Sequence, residues 1–375
     1  MSLFAPKKQG TTLEQASYWV LIALTALLPF ILIASRTTPM LSTKVLTASI
    51  LAFVALFLFS FASSRRQEVA VPRVWLLGFA WLIPVAYALS AVFSKQGGGF
   101  FGERLQVDSF GFMLICALVL SLAAFLLHSR ERVLGVFVAM LLSALVLTVL
   151  ELILFFWGSS MVQSGMYLTS VSLIGSLNDL AVFFGLIILF VLLTFILLPV
   201  APAMRVALWL SLVASLFFLV TVNLTILWWV VGAAALIGFV YSVSVPYFSH
   251  KARISSHAAV ATFTTLVLAC AFLFGSDQFT SYMARTMNVG ELDIRPSWSA
   301  TVDIGRAVYH EHALFGSGPG TFSHLWAKYM PAEVNATPFW VTNFEYGIGI
   351  IPTSALTTGL FGLLMWAVFL GSFLW

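Results

Sequence analysis

Charge is what this chain has least of. Lys, Arg, Asp and Glu make up 9% of its 375 residues, against 61% apolar residues and a mean hydropathy of +1.03. A soluble domain carries about a quarter charged residues, so that class is excluded. Cysteine is nearly absent: Cys116 and Cys270 both fall inside apolar runs. That excludes a disulfide framework or a cysteine metal site, and both are read as small buried residues. The net charge of +4 reports membrane topology and points to no nucleic-acid partner.

What the chain has in abundance is long apolar runs, each about twenty residues and able to cross a ~30 Å hydrocarbon core. They fall near residues 17–35, 45–62, 74–93, 109–127, 133–157, 179–199, 203–222, 224–247, 257–275 and 354–375. The expected fold is therefore an all-α polytopic membrane protein with about ten transmembrane helices. The seventh and eighth runs are parted only by Thr221 to Thr225. Lys7 and Lys8 are not followed by the short apolar core and small-residue cleavage site of a secretory leader. The last run reaches Trp375 with no polar tail, so further chain is expected beyond it.

One polar interruption stands out, residues 276–352, between helices 1–9 (1–275) and a tenth helix (353–375). It contains Asp277, Glu291, Asp293, Asp303, Glu311, Glu333 and Glu345, half of the 14 acidic residues, and His310, His312 and His324, half of the histidines. Lipid rejects such an inventory, so the segment lies in water or at the membrane surface. Cations orient the chain. With the N-terminus cytoplasmic, the inner segments hold Lys7, Lys8, Arg65, Arg66, Arg73, Arg130, Arg132, Arg205, Lys251 and Arg253, and the short outer loops hold Arg36, Lys44, Lys95 and Arg104. The positive-inside rule then makes residues 276–352 one long extracytoplasmic loop capping the bundle.

Within that loop, residues 296–314 read as a helix, with Pro296 fitting the first turn and Gly316 fitting just past the end. Ser299, Asp303, Arg306 and His310 recur on one polar face. Arg295 lies just before it on the same side. The pair Asp303–Arg306 also fits a plain amphipathic surface helix with an i,i+3 ion pair. Gly316-Ser-Gly-Pro-Gly-Thr-Phe322 lacks the Gly-Lys-Ser/Thr of a nucleotide loop. It reads as a turn that folds the loop back to the membrane, and its backbone N–H groups around Gly316, Gly318 and Gly320 also fit an anion nest. Asn178-Asp179 precede an apolar run and fit a helix cap, or a polar pair holding a sugar. Glu151 is the one acid well inside an apolar run. It is expected to be neutral, paired or shallow, with a transport role as the alternative.

At three places the chain resembles the bacterial O-antigen ligase and O-antigen polymerase superfamily. Arg295-Pro-Ser-Trp298 followed by Gly316-Ser-Gly-Pro-Gly-Thr-Phe322 is similar to the family's outer loop. Gly175-Ser-Leu-Asn-Asp-Leu-Ala181 is similar to its middle-helix entry, and Thr358-Gly-Leu-Phe-Gly362 to the helix opening after the loop. The resemblance covers about residues 170–375. It implies a metal-independent, cofactor-free transferase in the bacterial inner membrane. Such an enzyme takes a glycan from undecaprenyl diphosphate to a glycan, lipid or protein acceptor at the outer leaflet, among membrane lipids. Arg295 and Arg306 would clamp the diphosphate, since a guanidinium pairs bidentately with phosphate. His310 or Glu345 would take the acceptor's proton, and Asn178, Asp179, Gly316, Gly318, Gly320, Lys328 and Asn343 would line the substrate. Two departures leave an alternative open. No histidine follows His324, where the family carries His-Asn, and Asn223-Leu-Thr225-Ile-Leu-Trp228 lacks the family's middle-helix arginine. Catalysis then rests on other loop residues, or the chain is a degenerate member that binds lipid-linked glycan or scaffolds an envelope complex. A solute transporter is the third class, disfavoured by spans without paired ionisable residues.

Overall fold

The computed structural model describes residues 12–31, 40–66, 75–94, 107–163, 172–248, 256–275, 296–336 and 341–374. The expected site residue Arg295 lies outside them. The described residues form helices and turns and contain no strand. In chain order the helices are α1 (Thr12–Leu27), α2 (Met40–Arg66), α3 (Trp75–Phe93), α4 (Phe110–Leu126), α5 (Arg130–Gln163), α6 (Leu177–Leu197), α7 (Pro202–Val222), α8 (Thr225–Phe248) and α9 (Ser256–Phe274). After them come α10 (Trp298–His312), α11 (Phe322–Tyr329), α12 (Ile350–Thr357) and α13 (Gly359–Gly371). Eight helices, α1 to α3 and α5 to α9, are long and apolar enough to cross a membrane, and α4 and α13 are shorter apolar helices. The chain is an all-α, multi-pass membrane protein.

The expected tenth span is not continuous. It breaks at Thr358 into α12 and α13, because Gly359 has φ +68° and cannot extend a right-handed helix. The adjacent pair α7 and α8 separates at Asn223, a left-handed cap (φ 51°) whose side-chain oxygen accepts from Trp228 Nε1 at 3.1 Å. Helix α10 starts two positions later than expected, because Ser297 caps it by accepting from Ala300 N at 3.1 Å. Cys116 and Cys270 are exposed on their helices rather than buried. In apolar spans, such outward faces are lipid-facing positions that need no packing partner.

The chain forms two compact units, Met1–Val136 with Ile294–Trp375, and Phe137–Asp293. In the second, α6, α7, α8 and α9 close around Ile188, Val191, Leu219, Trp228 and Val231, all buried. Trp228 stacks on Phe272 with centroids 4.7 Å apart, and Phe184 on Phe218 at 4.6 Å. Glu151, buried within α5, accepts a 2.7 Å hydrogen bond from Leu173 N. It is therefore paired, at least through the Leu173 amide.

In the first unit, α1 packs on α2 and α4, and α3 packs on α4 and α13. The polar segment has its own core on this unit: Ala300, Ile304 and Val308 of α10, Phe322, Leu325 and Trp326 of α11, and Ala355 and Leu356 of α12. Burying an aromatic of Phe322's size contributes about 2–3 kcal/mol. A second anchor ties α1 to the turn between α4 and α5. Arg132 Nη1 donates to Glu14 Oε1 at 2.7 Å and to Leu126 O at 3.0 Å, and its guanidinium lies 5.4 Å from the Tyr18 ring centre. Tyr18 OH donates back to Arg132 O at 3.1 Å.

Removing one member of a buried ion pair strands the other, which costs about 3–5 kcal/mol. Arg132→Met is therefore expected to lower the thermal unfolding midpoint of the detergent-purified protein sharply. The double variant Glu14→Gln/Arg132→Met, which leaves no orphaned charge, is expected to recover most of that loss. Equal loss in the single and double variants would contradict a pairing role.

Candidate functional site

A break in an apolar helix leaves N–H and C=O groups without partners, a heavy cost away from water. Here the turn after α10 supplies both sets. Ser317 N donates to Leu356 O (3.2 Å) and Gly318 N to Thr357 O (2.8 Å), which caps the end of α12. Leu360 N donates to Ala313 O (2.9 Å) and Phe361 N to Leu314 O (3.1 Å), which caps the start of α13. The same turn closes α10 through Gly316 N to His312 O at 3.0 Å. Such close backbone approach demands glycine. Gly316 has φ +67°, and a Cβ there would meet Leu356 O at 2.5 Å and Gly359 N at 2.6 Å. Gly318 (φ +111°) and Gly320 (φ +69°) are buried with it.

Beneath this turn lies a carboxyl absent from the sequence-derived site. Asp108, just before α4, is buried. Its Oδ1 accepts from Tyr87 OH at 2.8 Å and from Thr357 Oγ1 at 3.1 Å, and its Oδ2 from Gly320 N at 3.3 Å. Burial pushes the carboxyl up to about 6, while the bonds from Tyr87, Thr357 and Gly320 pull the other way. Around it, Ser90 Oγ lies 2.7 Å from Phe315 O and 2.9 Å from Thr357 O. Ser317 and Thr321 hydroxyls meet at 2.7 Å. Ser94 Oγ is buried beside Gly318 without a hydrogen-bond partner. The cluster thus joins α3, the α4 entrance, the glycine turn and α12 through hydroxyls, backbone and one acid.

The other expected residues are elsewhere. Arg306 is exposed and pairs with Asp303, also exposed, at 2.9 Å. Its neighbour on the same face, His310, is exposed too. Lys328 Nζ sits 3.0 Å from Glu311 Oε2 and 4.6 Å from the Tyr329 ring centre, and Tyr329 OH donates to Glu311 Oε1 at 2.7 Å. The Tyr329 hydroxyl and the Lys328 ammonium hold the Glu311 carboxyl below its usual range, and Tyr329 and Glu311 hold Lys328 above its own. Asn343 and Glu345 are exposed in residues 341–349.

Asn178 and Asp179 belong to the second unit. Asp179 completes a capping box with Ser176, each side chain bonding the other's backbone N–H. Asn178 is buried with its Oδ1 unpartnered. Of the expected set, then, the structure gathers Gly316, Gly318 and Gly320 at one site and leaves Arg306, His310, Lys328, Asn343 and Glu345 exposed. Among the described residues, no three His, Cys, Asp or Glu side chains are grouped as metal ligands.

Gly316→Ala is expected to destabilise the seat of the turn by about 2–4 kcal/mol, through left-handed strain plus the backbone clash. Gly359→Ala breaks the same contact, so the double variant should cost less than the sum. Gly78→Ala, in α3 with open space at its Cβ, should be neutral or stabilising. Thermal unfolding with limited proteolysis of residues 296–336 reads all four, and an unaffected Gly316→Ala would contradict the mutual capping.

No protein-family model matches this chain, and no curated protein matches it significantly.

Proposed function

We propose that this chain is a membrane-embedded transferase of lipid-linked glycans, working in a bacterial inner membrane with residues 276–352 on the outer side. The donor is a glycan on undecaprenyl diphosphate and the acceptor a hydroxyl of another glycan, a lipid or a protein. The acceptor oxygen loses its proton to a base and bonds the anomeric carbon, while the bond from that carbon to the diphosphate breaks. The diphosphate leaves with the polyprenol. Such chemistry needs cations fixed at the membrane edge, a base nearby and apolar helices for the polyprenyl tail.

The observation that carries this reading is the mutual capping of the glycine turn and the broken helix α12–α13. It ties a polar segment bearing Arg306, His310 and Lys328 to apolar helices α3 and α13. A freely hinged loop would not hold a guanidinium against a lipid diphosphate. Arg306, with Arg295, is assigned to the diphosphate, and His310 or Glu345 to the acceptor's proton. Lys328 and Asn343 remain assigned to sugar or acceptor.

A second reading, a non-catalytic binder or scaffold for lipid-linked glycan, is favoured by the pairing of Arg306 with Asp303 and of Lys328 with Glu311. Each cation has a carboxylate beside it that a phosphate would have to displace. The transporter reading loses ground, because Glu151 is engaged by the Leu173 amide.

Binding of undecaprenyl-diphosphate glycan to the purified chain in lipid nanodiscs, followed by assay of released undecaprenyl diphosphate, separates the readings. A charge-assisted contact contributes about 1.5–3 kcal/mol, so Arg295→Ala and Arg306→Ala are each expected to weaken binding about ten- to hundredfold. Binding without release, whatever acceptor is offered, would favour the scaffold. No binding by folded wild type would sink both.

A further inference from the structure

We propose that Asp108 is a proton-operated latch: its protonated carboxyl holds the glycine turn in the break between α12 and α13, and its ionised form weakens that hold. The inference stands apart from the glycan-transfer reading and needs no substrate.

Geometry makes the case. When the turn is seated, Asp108 is buried against Tyr87 of α3, Thr357 of α12 and the Gly320 amide. When the turn lifts, Gly320 goes with it and the carboxyl meets water. The seated position supplies dipoles but, among the described residues, no cation: α3 contributes a phenol, α12 a hydroxyl, the turn an amide, and α4 the apolar Phe110 and Met113 that pack around Tyr87. Among the described residues, Tyr87 is the titratable side chain that faces Asp108, and a phenol stays neutral near pH 6. A charge there is met by three donors, and burial still costs it more than it costs the neutral acid.

The hydrogen bonds accommodate either state. Thr357 Oγ1 lies 3.1 Å from Thr353 O as well as 3.1 Å from Asp108. It can therefore turn its own proton to that carbonyl and accept one from Asp108, while Oδ2 keeps the Gly320 amide. No heavy atom has to move.

The sign follows from linkage. The seated carboxyl sits at about 6 and a hydrated one at 3.8, so seating is fully stabilised below the lower value and that stabilisation is lost as pH rises through about 6. Between pH 7.5 and pH 5 the seating equilibrium should tighten about tenfold.

Hydrogen exchange of the peptide spanning residues 313–321, in nanodiscs and corrected for intrinsic rates, tests this. Wild type should gain about tenfold protection at pH 5 over pH 7.5. Asp108→Asn mimics the neutral acid, donating to Thr357 and accepting from Gly320, and should be protected equally at both pH values. Tyr87→Phe removes a donor that favours the ionised form, so its transition should move to higher pH, which keeps a second test should Asp108→Asn fail to fold. Protection of wild type that ignores pH, an Asp108→Asn that keeps the pH response, or an unmoved Tyr87→Phe transition would each overturn the latch.

Discussion

A helix in an apolar environment cannot be interrupted unless something replaces the hydrogen bonds it gives up. Everything distinctive about the first unit follows from how this chain meets that requirement between Thr357 and Gly359. The main partner is the backbone of residues 313–318, which caps α12 and α13 together, with the Ser90 hydroxyl as a further donor to Thr357 O. Because those residues also end α10, the polar segment is fixed at its centre rather than merely tethered at its ends. The glycines are consequences: two backbones this close leave no room for a Cβ at Gly316 or Gly359.

Three acids lie buried in mostly apolar surroundings, and the chain treats each differently. Glu14 has a guanidinium, so its charge is matched and the pair pins α1 to the start of α5. Glu151 accepts from the Leu173 amide, which ties that residue to α5. Asp108 has two hydroxyls and an amide and no cation among the described residues. Matched charge is stable over a wide pH range. A carboxyl buried among dipoles is close to the balance point between its two forms, and that distinguishes Asp108 from Glu14.

Much of the fold was legible from hydropathy. Nine apolar runs became helices α1 to α9, and a cap was expected at Asn178–Asp179, where Asp179 does serve the capping box but Ser176 is the N-cap. The tenth run misled because a break inside an apolar stretch leaves hydropathy unchanged; only Thr358-Gly359 marked it. The polar face of α10 was legible from its spacing, and so was the Asp303–Arg306 pair. Asp108 was not. It lies 249 residues from Thr357 and 212 from Gly320 in sequence, and an acid just before an apolar run looks like ordinary solvated loop. Periodicity reports local faces, whereas this site is made by elements distant in sequence.

The exposed cations of α10 and the carboxyl that grips the turn are joined through packed elements. Helix α10 exposes Arg306 and His310 on one side and buries Ile304, Gly305 and Val308 on the other. Gly305 lets it approach Leu356 so closely that an added Cβ would sit 3.4 Å from that side chain. Tyr309 OH donates to Ala355 O at 3.0 Å. A load placed on the exposed face is therefore carried to α12 by direct contact, one residue from the Thr357 hydroxyl that holds Asp108. The exposed face of α10 and the seated turn are thus joined by packing and hydrogen bonds that pass through α12.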